Sequence, residues 1–151
     1  MDTKFHSDKN FKGVIEAIKK KYNVEFDLFP FRDENREYLI DSSQEGIVLG
    51  HFNEETNTIH FNEKFGVLIA IDTILHELHH KTQLESGRLK IENDRLLFDG
   101  KEYEIGQYNY HESPWELEAN AMSKEMFQQI LDDLSNEELA FLFDSMTGDL
   151  L

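Results

Sequence analysis

The run VLIAIDTILHELHHKTQLES, residues 67–86, sets the strongest limit on what this chain can fold into. Its first half (Val67, Leu68, Ile69, Ala70, Ile71) is apolar around a full helical turn, so a helix here must lie at the centre of a fold with other elements packed around it. Its second half carries His76, Glu77, His79 and His80, in a chain with only seven histidines. Either these residues hold a metal beside a catalytic base, or they form a polar, solvated turn.

Length and composition allow one domain with a real core over residues 1–151. Hydrophobic residues make up 39% of the chain and Phe occurs twelve times, which sets it apart from disordered compositions. No stretch reaches the roughly 18 continuous apolar residues of a membrane span. The opening MDTKFHSDKN lacks the apolar core of a secretory signal, so no membrane association and a cytoplasmic location are expected. Without cysteine, disulfides, thiolate metal sites and cysteine nucleophiles are excluded. A transition metal would have to be held by His, Asp or Glu.

The formal charge of −16 is uneven: residues 1–90 carry 16 acids against 12 bases, residues 91–151 carry 15 against 3. That argues against nucleic-acid binding through a basic face. Solubility is the ordinary explanation of such a surface. The sharper one is an acidic face that docks a basic protein.

Along the chain, SDKNFKGVIEAIKKKYN opens on a capping residue and spaces Phe11, Val14, Ile15 and Ile18 helically. VEFDLFPF and REYLIDSS alternate as strands do, and GIVLGHFN with TNTIHFNE reads as a hairpin from about 45 to 62. The long helix follows from Gly66. RLLFDGKEYEI places Asp-Gly between two strand-like runs, a strong hairpin signal. SPWELEANAMSKEMFQQILDDL is a second long helix, with Ser113 as N-cap and Pro114 in its first turn, and SNEELAFLFDSM closes the chain as a short, capped helix. The order helix, small sheet, helix, hairpin, helix, helix defines an α+β protein.

At about 100° per residue, His76 and His80 lie about 40° apart on one helix face, with Ile69, Thr73 and Gln83 near the same line. Two imidazoles one turn apart can chelate one ion, while Glu77, about 80° off their midpoint, can reach a water beside that ion without ligating it. This is the H-E-x-x-H arrangement, with His76 and His80 as zinc ligands and Glu77 as general base. A chance match in this composition is roughly a 4% event, so the helical context matters as much as the spelling. Zinc needs a third protein ligand and an open fourth position. Glu116 is the best donor, and Asn120, four residues on, faces the same neighbour, whereas Glu118 points elsewhere. The competing structural role for Glu116 is a capping box with Ser113. A di-iron site fails, because no second histidine has a glutamate three places before it. His51, His60 and His111 read as strand or loop residues, and His6 as an exposed residue near the terminus.

HELHH, followed some 35 residues later by PWELEANAMSKEM, resembles the small gluzincin-type zinc metallopeptidases of bacteria and phages. ImmA/IrrE-like proteins and minimal phage-encoded zincins pair H-E-x-x-H with a downstream E-x-x-A-[ND] helix. The resemblance covers roughly residues 45–130. It implies a single zincin-like domain over 1–151, with a small antiparallel or mixed sheet packed on a central HExxH helix and a second, glutamate-bearing helix. It also implies Zn2+ on His76, His80 and Glu116, Glu77 as base, and Asn120 as a supporting partner. One departure stands out: such sites usually carry a small residue just before the second histidine, and here it is His79.

By that resemblance, a zinc-activated water deprotonated by Glu77 attacks the peptide carbonyl of a protein or peptide substrate. The substrate could pair with an exposed edge strand of the GIVLGHFN hairpin. Tyr108, Tyr110 and His111 in YNYHES are candidates for stabilising the oxyanion, against simple packing before the helix. The competing function is a non-catalytic module on the same scaffold, whose acidic C-terminal third binds a basic protein, with DNA mimicry as its extreme.

Overall fold

The computed structural model describes residues 5–32, 49–93, 95–104 and 113–150. The described elements, in chain order, are α1 (Lys9–Tyr22), β1 (Asp27–Phe31), β2 (Gly50–Asn53), β3 (Thr58–Asn62), α2 (Val67–Glu85), β4 (Leu89–Glu92), β5 (Arg95–Phe98), β6 (Lys101–Glu104), α3 (Pro114–Leu131) and α4 (Asn136–Leu150). The protein is α+β, with four helices and two three-stranded sheets among the described residues. None of these helices is long and apolar enough to cross a membrane. The strand expected over REYLIDSS, and the segment holding Tyr108, Tyr110 and His111, lie outside the described residues.

Local chemistry explains most of the element ends. Asp8 caps α1 by accepting the Asn10 amide at 2.8 Å, and Asn23 closes it in the left-handed region. Ser135 and Glu138 form a reciprocal capping box at the start of α4, with bonds of 2.8 and 3.1 Å. Asp99 and Gly100 both take positive φ, 52° and 81°, as the two-residue turn between β5 and β6 requires.

The first sheet has the order β1-β3-β2, with β1 parallel and β2 antiparallel to β3. It is therefore mixed, because the hairpin β2–β3 gains a parallel partner from before it in sequence. The second is an antiparallel meander, β4-β5-β6, whose strand β4 the periodicity of the sequence does not announce.

The main core joins α1 (Phe11, Val14, Ile15, Ile18), β3 (Ile59, Phe61), α2 (Val67, Ala70, Ile71, Ile74, Leu75, Leu78), α3 (Met126, Ile130) and α4 (Leu142). Burying one such side chain is worth about 1.5–3 kcal/mol. The central placement of α2 follows from these contacts, with one exception: Ile69, in the first turn, is 42% exposed. A smaller cluster of Leu89, Phe98 and Tyr103, backed by Leu84, Leu96 and Trp115, fastens the second sheet to α2 and α3. His6 is not simply exposed. Buried Glu63 accepts its ring Nδ1–H at 2.7 Å together with the backbone amides of Phe5 and His6.

Candidate metal centre

The rotation of α2 about its axis is set by Ile71, Ile74, Leu75 and Leu78, all 1% exposed or less against the main core. With that face fixed inward, the helical repeat turns His76, His79 and His80 toward α3. The paired contacts His79–Glu118, His76–Glu116 and Asp72–Lys124 join the two helices along their length, and the last of them, low on α2 and high on α3, shows that they run antiparallel. On the neighbouring face of the helix, β2 approaches α2 closely at Gly50. A Cβ there would stand 2.5 Å from Thr73 Cγ2 and 2.6 Å from the His60 carbonyl oxygen, so glycine is what allows the approach.

Trp115 places the first turn of α3. Its ring meets Tyr103 and Phe98 edge-on, with centroids 5.4 and 6.1 Å away, so the second sheet holds the helix start. Ser113 has the extended backbone of an N-cap, but its side chain does not cap the helix. The capping-box alternative for Glu116 is thereby set aside, because that carboxylate is turned to the imidazoles instead. Ala119, fully buried, lets α3 lie close to its neighbours.

His76 Nε2 lies 2.9 Å from Glu116 Oε2, His80 Nε2 lies 2.7 Å from Glu116 Oε1, and the two Nε2 atoms are 3.1 Å apart. One donor atom from each of the three residues falls within 4.8 Å of the others. The set is thus two imidazole nitrogens and a carboxylate oxygen, a donor chemistry that suits zinc and leaves a fourth position open. Bonds near 2.0–2.2 Å in a tetrahedron imply donor separations of about 3.4 Å, so an ion would need the cluster to open by only about half an ångström.

The electrostatics describe a cluster that shares a proton. Burial works against a charge on His80, but the bonded Glu116 carboxylate outweighs it and raises His80 to about 9. Burial likewise opposes the charge on Glu116, and the bonds from His76 and His80 override it, holding the carboxyl at about 2. Glu77 is 6% exposed, and burial pushes its carboxyl up. The charges of His80 and His76 act in the other direction and that of Glu116 adds to the rise, which places Glu77 within electrostatic reach of all three. A carboxylate shifted toward neutrality beside such a cluster is suited to taking and returning a proton.

Sequence spacing does not single out the groups that hold this cluster in place. Gln83 sits one turn beyond His80, with its Oε1 2.8 Å from Nδ1. Since Gln83 Nε2 donates to the Trp115 carbonyl (3.1 Å) and to Glu118 (3.2 Å), its oxygen must accept, which puts a hydrogen on Nδ1 and leaves Nε2 as the nitrogen that faces the cluster. Gln83 lies on the same helical line as the histidines, the one signal in the sequence that points to it.

His79, which departs from the pattern of the family the sequence resembles, donates to Glu118 at 2.6 Å. Glu118 also takes a two-pronged contact from Arg88, at 2.7 and 2.6 Å. Arg88 in turn grips Asp99 of the β5–β6 turn at 2.7 and 3.0 Å. Glu118, expected from the helical angle to point elsewhere, also faces α2. It bonds His79 and Gln83 there and so anchors the residues beside the ligand set, because the start of α3 is wedged between α2 and Arg88.

Asn120 is exposed on α3, and its carbonyl accepts from Ser123. Tyr108, Tyr110 and His111 lie outside the described residues. His51 and His60 are strand residues stacked across β2 and β3, with ring centroids 4.3 Å apart and remote in role from the cluster. Comparison with protein-family models, with curated proteins and with solved structures returns no match for this chain.

Proposed function

We propose that this chain is a zinc-dependent metallopeptidase of the gluzincin type on a zincin-like scaffold, acting on a protein or peptide. The observation that carries the reading is the convergence of His76, His80 and Glu116 from two helices, with buried Glu77 beside them. Spacing in the sequence can place two imidazoles together. It cannot bring in a carboxylate from the far helix, and the packing of α3 on α2 does so.

In this reading His76, His80 and Glu116 hold the ion. When bound, zinc supplies Lewis acidity that activates water and polarises a carbonyl. The remaining work belongs to the protein. Glu77 accepts a proton from the attacking water and delivers it to the leaving amine, a transfer favoured by a carboxylate whose burial has made it more basic. Gln83 keeps His80 in the ligating tautomer. The seam between α2 and α3 excludes solvent from the ligand side chains, which are no more than 16% exposed.

Elemental analysis of protein purified without added metal should find one zinc per chain, and His80→Ala should lose it. Against a fluorescence-quenched randomised peptide library, Glu77→Gln should keep its zinc while hydrolysis falls by about 10²–10⁴-fold. Zinc-free wild type, or a Glu77→Gln variant that cleaves as wild type does, would overturn the proposal. Tight, salt-sensitive capture of a basic protein, indifferent to Glu77→Gln and without hydrolysis, would favour the binding module instead.

A further inference from the structure

Beyond the ligand cluster, the first sheet packs against α2 as far as the end of the helix, where the packing gives way to a cavity. Gly50 touches Thr73, Phe52 lies 5.7 Å beneath the Lys81 ammonium, and Glu54 meets Leu84 in a cavity of about 270 Å³. Gly50 and Phe52 of β2, and Glu54 in the turn after it, thus lie along α2 in the same direction, on the face that carries Glu77. Among the described strands β2 is an edge, hydrogen-bonded on one side to β3.

The cavity at the end of this track is lined by Leu84, Leu89 and Ile91 and by Glu54, Lys90 and Glu92. It falls below the roughly 300–1,000 Å³ of pockets that hold cofactors or drug-sized ligands, so it has room for about one long side chain. Leu84 is seven helical residues past Glu77, about 10 Å along the axis, which is about three residues of extended peptide. Neither Glu54 nor Glu92 has an ion-pair partner among the described residues. The Lys90 side chain leans away toward the α2–β4 turn, where its Cε would come 3.3 Å from a Cβ placed on Gly87.

We propose that this cavity is a specificity subsite for a lysine or arginine side chain of an extended peptide lying along β2. This rests on the metallopeptidase reading, since the peptide's register is measured from Glu77. The aliphatic stem covers Leu84, Leu89 and Ile91, and the cationic head is received by Glu54 and Glu92. Ile91, 66% exposed, gains cover that the chain itself does not provide.

The test is a randomised peptide pool passed over immobilised, zinc-loaded Glu77→Gln protein, with the retained peptides sequenced. Lysine and arginine should be enriched at one position, by about two- to fivefold for each carboxylate, the range of exposed ion pairs. The enrichment should shrink at high salt and disappear in a chain that also carries Glu54→Gln and Glu92→Gln. Both glutamates are exposed, so these substitutions leave the fold intact. No retention, no positional preference, or an apolar preference that survives the double substitution would each overturn the subsite. Basic enrichment without hydrolysis by wild type would sink the peptidase reading and keep the subsite, whereas hydrolysis without basic preference would do the reverse.

Discussion

In the first half of α2, Val67, Ala70, Ile71 and Ile74 are buried by apolar neighbours from α1, β3 and the other helices. In the second half, Glu77, His79, His80, Lys81 and Gln83 are buried nearly as deeply, none more than 8% exposed. The first group needs only matching volume. Each member of the second needs particular partners, because an unpaired polar group out of water costs far more than a missing methyl. His80 has Glu116 and Gln83, His79 has Glu118, and Lys81 has Glu85 with its ammonium over the Phe52 ring. Continuous with each other, the two halves differ in what holds them: one is fixed by apolar volume, the other by paired polar groups.

The sharpest way to break that division is to damage each half separately. Ile74→Ala should cost about 2–5 kcal/mol of stability in a denaturant titration, because it leaves a cavity in a packed core. The loss should be the same with and without EDTA, since Ile74 belongs to the apolar core and not to the ligand set. His80→Ala should do something different in kind and abolish the dependence of Tm on chelator, because zinc would no longer clamp α2 to α3. Equal chelator responses in wild type and His80→Ala would erase the distinction between the halves.

A smaller effect is expected from residues that touch the ligands without joining them. Gln83→Leu keeps the volume and removes the acceptor for His80 Nδ1, so zinc affinity in a chelator competition should fall by about 10–100-fold, the range for groups that orient ligands. Arg88→Gln, one contact farther out, should cost less. If Gln83→Leu bound zinc as wild type does, the polar half of α2 would be ordinary packing.

The last effect needs no substitution and acts through pH. In the metal-free cluster His80 titrates at about 9, above its ordinary 6.5, so zinc must displace a proton from it. Affinity should therefore rise by about tenfold per pH unit from 7 toward 9 and level off above, with Glu116, held at about 2, already ionised throughout. The stability of the metal-free protein follows the opposite course. The raised His80 contributes fully below 6.5 and that contribution is lost as pH rises through 9. The lowered Glu116 contributes above 4.5 and is lost as pH falls through 2. Calorimetry in buffers of different ionisation enthalpy would count the released proton, and an affinity that does not change between pH 7 and 9 would contradict the shared-proton picture.

Much of the candidate site is legible in the amino-acid sequence. Phe11, Val14, Ile15 and Ile18 mark α1, Asp99-Gly100 marks the β5–β6 turn, and the spacing of His76, Glu77 and His80 presents both imidazoles to one side, all consequences of local periodicity and turn stereochemistry. Glu116 can be named as a third donor from its type and spacing. Strand β4 and the parallel pairing of β1 with β3 cannot be read there, since short strands gain their definition from partners distant in sequence.

What the sequence determined by itself is the helical repeat: which residues share a face, where a helix is capped, and which side chains have the chemistry to bind a metal or carry a proton. Tertiary structure decided which of two roles each polar residue took. Ser113 and Glu116 have capping-box spacing, yet Glu116 goes to the imidazoles because Trp115, seated on the second sheet, sets α3 beside α2. His79 and Glu118 are a misfit and a bystander on their own helices, and become partners only when the helices pack antiparallel. The reason is physical. Helical periodicity acts over a few residues and is written locally, whereas the partner of a buried charge is chosen by whichever group the packing of the apolar core brings within hydrogen-bonding distance.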